Sequence, residues 1–198
     1  MKIIKINPQI PEKTGIRQVI QVLENEGIIV YPTDTIYGIG ANIYSESAIR
    51  KVYSLKNRDF NKPLSVCLSE IGDIEKIAYL DWGKDIIEKI LPGPYTILLK
   101  KKEHISPLLT AGSDKIGIRI PKNNICRQIT RKFPITSTSA NLSGETVPKS
   151  VEEVITQLGD FVDIIIDGGP TEGIPSTVID WTVHPPKVLR KGVKEFKI

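Results

Sequence analysis

The sequence predicts an α/β protein built on a twisted, open, mixed β-sheet with helices on its faces. Short β-branched runs alternate with segments of helical apolar spacing from one end of the 198-residue chain to the other. Some successive strands, such as 162–166 and 176–181, are joined by a segment with no crossover helix. Since parallel neighbours need such a crossover, the sheet is expected to be mixed.

The first half of the chain is predicted to form strand 3–6, helix 16–23, strand 28–31, helix 45–53, strand 64–68, helix 81–91 and strand 95–99. Gly27 ends the first helix, whose apolar residues recur at i, i+3, i+4 and i+7. IIVY (28–31) is a compact apolar run, typical of a buried strand, and Pro32 is expected to end it. Ser45 can cap the helix that follows it, because its hydroxyl can accept from the first-turn amides.

The second half is predicted to form strand 116–120, helix 123–132, strand 134–138, helix 150–158 and strands 162–166, 176–181 and 187–190. Pro121 ends the first of these strands, Ser150 can cap the second helix, and strand 187–190 is expected at the end of the sheet. We find no internal repeat, low-complexity tract or linker, so residues 1–198 are interpreted as a single domain.

The composition is that of an ordinary globular protein, with 40% hydrophobic and 25% charged residues. The net charge of +4 suits anionic small molecules or RNA but does not by itself indicate nucleic-acid binding. No segment approaches the 18 consecutive apolar residues of a membrane span, and MKIIKINPQI does not resemble a signal peptide. Together these features favour a cytoplasmic location.

Several kinds of site are disfavoured. Cys67 and Cys126 are the only cysteines and His104 and His184 the only histidines, too few soft ligands for a zinc site. There is no GxSxG for a serine nucleophile, and no P-loop or GxGxxG for a nucleotide. A bound phosphate would therefore be met by side-chain cations. The candidates are Lys56, Arg58, Lys62, Lys115, Arg119 and Arg190.

Four loops are more elaborate than a simple connection requires: 32–40, 55–69, 137–145 and 167–180. The first follows a buried strand, where ligands tend to bind in open α/β sheets, although it could equally be a turn followed by a glycine-bearing strand. Lys56 and Arg58 are two residues apart, so in extended backbone their side chains would point the same way. A solvated charged loop is the alternative interpretation of these cations.

Six motifs occur in a recognisable order: YPTDTIYGIG, KNR with KPLSV, LPGPYTILL, IGIRIP, STSANLSGE and STVID. In this order they resemble the YrdC/Sua5 family of threonylcarbamoyl-AMP synthases, and the resemblance runs from about residue 10 to residue 192. It implies a twisted open sheet with a concave, positively charged cavity. It also implies a nucleotidyltransferase that makes threonylcarbamoyl-AMP and pyrophosphate from L-threonine, bicarbonate and ATP.

The resemblance also implies a set of site residues. The family's catalytic tetrad falls on Lys56, Arg58, Ser139 and Asn141. The threonine-binding positions are Thr35, Cys67, Arg119, Ser139 and Ser176. The ATP-binding positions are Arg58, Lys62, Lys115, Asn141, Lys149 and Arg190.

Mg²⁺ is expected with ATP, and no metal site formed by protein ligands is expected. The product is expected to pass to a tRNA threonylcarbamoyl-transferase complex for modification of adenosine 37, and contact with tRNA or double-stranded RNA is a further expectation. No membrane partner is expected.

The chain departs from the family pattern at two positions. Asp59 follows the KxR arginine where relatives often have proline, which should alter the loop more than the chemistry. Cys67 occupies a strand position where many relatives have histidine, so any contact that the histidine makes is absent or different here. The C-terminal domain of longer Sua5 proteins is not expected in this chain.

Three other functions are compatible with parts of the sequence. A non-catalytic module could hold RNA on a basic concave surface, although the aromatic content is only 6%. A carbamoyl-transferring domain related to hydrogenase maturation would be accompanied by acylphosphatase and zinc-finger regions. An inactive regulator is disfavoured by the complete Lys56, Arg58, Ser139 and Asn141 set.

Overall fold

The computed structural model describes residues 1–197. Within these residues the chain forms eleven strands and six α-helices. The strands are β1 (Lys2–Lys5), β2 (Ile29–Pro32), β3 (Tyr37–Gly40), β4 (Ser65–Cys67), β5 (Ala78–Tyr79), β6 (Tyr95–Lys101), β7 (Lys115–Arg119), β8 (Ile135–Ser139), β9 (Ile164–Asp167), β10 (Thr177–Asp180) and β11 (Lys187–Arg190). The helices are α1 (Lys13–Glu24), α2 (Glu46–Leu55), α3 (Ile74–Ile77), α4 (Lys84–Ile90), α5 (Asn124–Thr130) and α6 (Val151–Leu158).

The strands form one mixed sheet in the order β1-β9-β2-β3-β8-β4-β7-β6-β10-β11, with β5 beside β6. The sheet contains parallel pairs, such as β4 with β7, and antiparallel pairs, such as β6 with β7. The predicted α/β class and mixed sheet are therefore confirmed, as is the position of β11 at the end of the sheet.

The specific connection that suggested a mixed sheet was interpreted wrongly. β9 pairs with β1 and β2, whereas β10 pairs with β6 and β11, so the two strands lie in different halves of the sheet. The long loop between them crosses the sheet instead of linking neighbours, and its glycines allow that path.

Alternation along the strands gives the sheet two apolar faces of different size. The larger cluster includes Val30, Ile39 and Ile118 and lies under α2, α4 and α6. The smaller cluster includes Ile29 and Tyr31 and is covered by α1 and α5. Adjacent residues of β2 therefore point to opposite faces, as the period of a strand requires.

Several boundaries differ from the predictions for local reasons. The predicted loop 32–40 contains β3, and Pro32 pairs with Tyr37 inside the sheet, so the segment forms a turn followed by a glycine-bearing strand. The helix predicted at 81–91 begins only at Lys84, because Gly83 is left-handed, with φ of 67°. The caps by Ser45 and Ser150 are confirmed, since each hydroxyl accepts a first-turn amide hydrogen.

Among the described residues, no helix combines the length and the apolar character needed to cross a membrane.

Candidate active site

A cavity of about 330 Å³ lies on the sheet face that also carries the smaller cluster, beyond the part covered by α1 and α5. We call it the central cavity. It is lined by Thr33, Ile36, Gly38, Arg58, Pro63, Ser65, Thr96, Leu98, Arg119, Ser137, Thr138, Ser139, Pro175, Ser176, Val178 and Arg190. The volume is within the range of small-molecule sites. The lining combines hydroxyl groups with three arginines and contains no carboxylate.

The floor of the central cavity is formed by small residues that face one another across the strands. Gly38 of β3 is opposite Ser139 of β8, and Ser137 of β8 is opposite Ser65 of β4. On the next strand, Gly117 approaches so closely that an added Cβ would lie 2.6 Å from Ser65 Oγ. Larger side chains at these positions would fill the space above the sheet, so these small residues leave room for a ligand.

Arg119, at the end of β7, is buried and held by the β2–β3 turn. Its Nη2 donates to Asp34 Oδ1 at 2.5 Å and its Nη1 donates to Thr35 Oγ1 at 3.1 Å. Its Nε is buried and has no hydrogen-bond partner among the described residues. An unpartnered buried donor is costly, which is typical of a functional site. Asp34 is not among the site residues that the family resemblance implies.

The β2–β3 turn is shaped by Thr33, another residue that is not among the site residues implied by the resemblance. Its Oγ1 accepts from the amides of Thr35 and Ile36, both at 3.1 Å, and donates to Ile36 O at 2.7 Å. These bonds close the turn and present Thr35 Oγ1 to Arg119. A Thr-x-Thr pattern directly after a buried strand is the sequence signal that could have identified it.

Lys56 does not point into the central cavity. It is 1% exposed, and its Nζ donates to Ser139 O and Asn141 O, each at 2.5 Å. The extended backbone that would point Lys56 and Arg58 the same way is not present, because Lys56 is the right-handed C-cap of α2 and Asn57 is left-handed, with φ of 47°. Burial, and secondarily the charge of Arg58, lower the pKa of Lys56 from 10.5 to about 7.

Asn141 is also occupied within its loop. Its Nδ2 donates to Leu142 O at 2.9 Å and to Glu145 O at 2.8 Å, and its Oδ1 faces Lys56 Nζ at 3.4 Å. Ser139, at the end of β8, lines the central cavity directly. Lys56 and Asn141 therefore shape the loop that follows Ser139.

Arg58 lines the central cavity at a second side, away from the Arg119 side. Its Nε donates to Lys62 O at 3.1 Å and its Nη2 donates to Pro63 O at 2.9 Å, while Nη1 makes no bond within the described residues. Burial lowers the pKa of Arg58, which is nevertheless a guanidinium and stays charged. The Lys62 side chain is exposed and lies outside the cavity lining.

Arg190 and Ser176 form the third side. Arg190 donates from Nε at 3.2 Å and from Nη2 at 2.8 Å to Ser176 O, and the Ser176 hydroxyl lies 2.7 Å from Thr96 Oγ1. Burial, followed by repulsion from Arg119, lowers the pKa of Arg190. Two arginines that repel each other across a cavity favour an anion between them.

Three further assigned residues also lie outside the central cavity. Lys115 is at the far end of β7, where its Nζ pairs with Asp180 Oδ2 at 2.9 Å. Lys149 is exposed, and its aliphatic part packs on Gly173. Cys67 is fully buried in the smaller cluster beside Cys126, so its side chain does not reach the central cavity.

Within the described residues there is no group of three or more His, Cys, Asp or Glu that could hold a metal ion.

Comparison with known proteins identifies related chains. Residues 21–192 match the family Sua5_yciO_yrdC, described as "Telomere recombination". A Methanocaldococcus jannaschii protein, provisionally named as a threonylcarbamoyl-AMP synthase, is 45% identical over 200 residues, which are 97% of this chain and 93% of that protein.

Two solved structures share the fold closely. The crystal structure of P. abyssi Sua5 complexed with L-threonine has a TM-score of 0.91 at 31% identity, covering 97% of this chain but 58% of that one. E. coli YciO has a TM-score of 0.91 at 28% identity and matches 98% of both chains. With the family matched over most of its length, this chain belongs to the Sua5/YciO/YrdC family.

Proposed function

We propose that this chain is an L-threonylcarbamoyladenylate synthase, which makes threonylcarbamoyl-AMP and pyrophosphate from L-threonine, bicarbonate and ATP. The observation that carries the proposal is the convergence of Arg58, Arg119 and Arg190 around a floor of small hydroxyl residues. The similarity to relatives named as threonylcarbamoyl-AMP synthases, and to a Sua5 structure that holds L-threonine, supports it.

The chemistry fits a site without an enzyme nucleophile. The amine of threonine attacks bicarbonate or the CO₂ derived from it, which forms a carbamate and releases water. A carbamate oxygen then attacks the α-phosphorus of ATP, and pyrophosphate leaves. Both nucleophiles belong to the substrates, so the protein has to align mutually repelling anions and stabilise the charge on the phosphoryl oxygens.

We assign threonine to the Arg119 side of the central cavity. Thr35 and Asp34 hold two guanidinium nitrogens, which fixes the plane of Arg119 before a substrate arrives. A preorganised guanidinium is suited to a carboxylate. Ser176 and Ser139, which also line the cavity, are the proposed hydroxyl contacts.

We assign the nucleotide to the space between Arg58 and Arg190, whose guanidinium groups are anchored to backbone carbonyls. Their positive charge is suited to the phosphates. Lys62 and Lys149 are exposed and do not line the central cavity, so their assignment to the nucleotide stays a prediction. Lys115 could bind the nucleotide only by breaking its salt bridge with Asp180.

Lys56 and Asn141 are proposed to act through the loop that they hold. Lys56 Nζ binds the carbonyl groups of Ser139 and Asn141, so it fixes the end of β8 at the cavity floor. In this role they are positioning residues rather than groups that touch the reacting atoms.

Mg²⁺ is proposed to accompany ATP. The cavity lining offers hydroxyl and guanidinium groups and no carboxylate, a donor set that does not form a protein magnesium site. On the phosphates, Mg²⁺ would supply charge neutralisation.

The product is proposed to serve N6-threonylcarbamoylation of adenosine 37 in tRNA through a transferase complex. Direct contact with tRNA or double-stranded RNA stays a prediction.

The test is reconstitution. Purified protein is incubated with ATP, Mg²⁺, bicarbonate and labelled threonine, and threonylcarbamoyl-AMP and pyrophosphate are measured by chromatography. We expect product only when ATP, bicarbonate and threonine are all present, and omission of Mg²⁺ tests the metal separately. Absence of the adenylate with every component present would overturn the proposal.

The same preparation addresses the RNA-binding alternative. A non-catalytic RNA module would bind RNA with an affinity that falls steeply with salt, and threonine with ATP would not affect it. That result together with no adenylate formation would favour the module.

A further inference from the structure

The segment that follows β11 packs against the backbone on both sides of Ser176. We call residues 192–196 the C-terminal strap. Val193 N donates to Pro175 O at 3.0 Å, and Gly192 N donates to Thr177 Oγ1 at 3.0 Å. Thr177 Oγ1 in turn donates to Lys194 O at 2.5 Å. The strap therefore bonds to both chain neighbours of a cavity-lining serine.

The end of the strap is anchored in the aromatic part of the core. Tyr95 Oη donates to Glu195 O at 3.0 Å. The Phe196 ring lies edge-on to Tyr95 and Trp181, with centroid distances of 6.3 and 6.1 Å. This anchor fixes the strap relative to β6 and β10, because Tyr95 and Thr177 are opposite each other in the parallel pair.

Gly192 has no room for a side chain. An added Cβ would lie 2.3 Å from Pro175 O, 2.3 Å from the Ser176 carbonyl carbon and 2.4 Å from Thr177 N. All three are backbone atoms, so no side-chain rotation can relieve the overlap. Any larger residue must displace either the strap or the segment that carries Ser176.

The Gly192 contact lies beside two residues of the cavity lining, Arg190 and Ser176. Gly192 is two residues after Arg190, and Arg190 binds Ser176 O through Nε and Nη2. Ser176 Oγ also lies 2.7 Å from Thr96 Oγ1, on the neighbouring strand. A displacement at Gly192 would therefore change the position of Ser176 relative to both Arg190 and Thr96.

We propose that Gly192 is a positioning residue, which lets the C-terminal strap press on residues 175–177 and so sets the place of Ser176 in the substrate site. The proposal rests on the function proposed above for its ligand, since threonine is the substrate assigned to Ser176. Its structural basis is independent of that assignment.

The test compares Gly192→Ala with Gly72→Ala. At Gly72 an added Cβ meets nothing within 4 Å, which makes Gly72→Ala a matched control for the loss of a glycine. In Gly192→Ala we expect the KM for threonine, and its equilibrium dissociation constant without the other substrates, to rise at least tenfold. In Gly72→Ala we expect both to stay within twofold of the wild-type values.

A structural effect alone would give a different result. Partial unfolding would lower kcat through the active fraction and leave the KM for threonine unchanged. Circular dichroism and thermal melts measure the folded fraction of each variant at the assay temperature. An unchanged KM and dissociation constant in folded Gly192→Ala would overturn the proposal.

Phe196→Ala provides a second variant if Gly192→Ala does not fold. It removes the anchor of the strap without adding an overlap, so the same rise in KM is expected with a smaller magnitude. An unchanged threonine KM in Phe196→Ala would then decide against the proposal. Wild-type protein that binds threonine but forms no adenylate would contradict the proposed function, while the binding comparison would still test the strap.

Discussion

The Arg58 guanidinium is anchored by its own loop, with Nε on Lys62 O and Nη2 on Pro63 O. This anchoring holds the charge at the rim of the central cavity without an acidic partner among the described residues. A cation fixed in this way can stabilise developing phosphoryl charge with little reorganisation.

We expect Arg58→Ala to reduce adenylate formation by two or more powers of ten, about 3 kcal/mol of transition-state stabilisation. Threonine-dependent and bicarbonate-dependent pyrophosphate release measures the effect. Arg17→Ala, at an exposed position on α1, is the control and should be unaffected. A near-normal rate in Arg58→Ala would remove Arg58 from the proposed mechanism.

Lys56 predicts a pH dependence of stability. Its folded pKa of about 7 lies below the ordinary value of 10.5, so between these pH values the unfolded chain binds the proton and the folded chain does not. The contribution of Lys56 to the free energy of unfolding therefore rises with pH above about 7, by up to ~1.4 kcal/mol per pH unit.

The measurement is denaturant unfolding of the wild type and Lys56→Met at pH values from about 7 to 9. We expect the wild-type free energy of unfolding to rise relative to that of the variant, because other titrating groups cancel in the difference. Equal slopes would mean that Lys56 stays charged in the folded protein. Activity should fall in Lys56→Met, since Ser139 O and Asn141 O lose their donor.

At the scale of elements, α2 connects the Ser45 cap to the loop that carries Lys56 and Arg58. Ser45 begins the helix by accepting from Ala48 N at 3.1 Å, and Lys56 ends it as the C-cap. The helix therefore determines where Lys56 and the loop after it begin.

Replacing the cap should affect stability more than catalysis. We expect Ser45→Ala to lower the free energy of unfolding by about 1 kcal/mol, because a first-turn amide loses its acceptor. The KM for ATP should change less than twofold, because the core contacts of α2 hold its other end. Ser54→Ala, exposed on the same helix, is the matched control. Equal stability of the two variants in chemical denaturation would contradict the role of the cap.

The strands were easier to predict than the ends of the helices. Strand β7 follows from KIGIR, since Ile116 and Ile118 alternate with residues of the other face. β3 was only one of two interpretations of loop 32–40, because YGIG has two glycines, which weaken a strand signal in isolation. In the sheet those glycines pair with Tyr31 and Ile29, whose large side chains occupy the adjacent space.

At the scale of the whole molecule, positive charge is unevenly distributed along the chain. Six of the 27 Lys and Arg residues, and none of the 23 Asp and Glu residues, lie within 115–144. The rest of the chain therefore has fewer cations than carboxylates. This segment contains β7, α5 and β8, which supply Arg119 and Ser139 to the central cavity.

We therefore expect the affinity for ATP to depend on salt. Raising KCl from ~0.05 to ~0.5 M should increase the KM for ATP several-fold, because screening weakens attraction between exposed or half-exposed charges. The KM for threonine, which is a zwitterion, should change less. Initial-rate measurements at constant Mg²⁺ give both values. A salt-independent KM for ATP would show that long-range charge contributes little.

The sequence by itself determined the local features of this protein. β-branched runs, glycines and hydroxyl caps set most strands and helices, because backbone conformation depends largely on neighbouring residues. The six ordered motifs also sufficed to indicate the family and the reaction. The identity of the cationic residues was visible as well, but not the direction in which each one points.

Only the tertiary structure decided which of these cations share a cavity. Arg58, Arg119 and Arg190 are far apart in sequence. Arg119 and Arg190 meet because β7, β6, β10 and β11 are successive neighbours in the sheet, and Arg58 lines the same cavity from the loop before β4, the other neighbour of β7. Lys56 turns inward to backbone carbonyls and Lys115 pairs with Asp180, although all five looked alike as sequence. Strand pairing and side-chain partners are contacts between residues far apart in sequence. The direction in which a charged side chain points therefore depends on the tertiary structure.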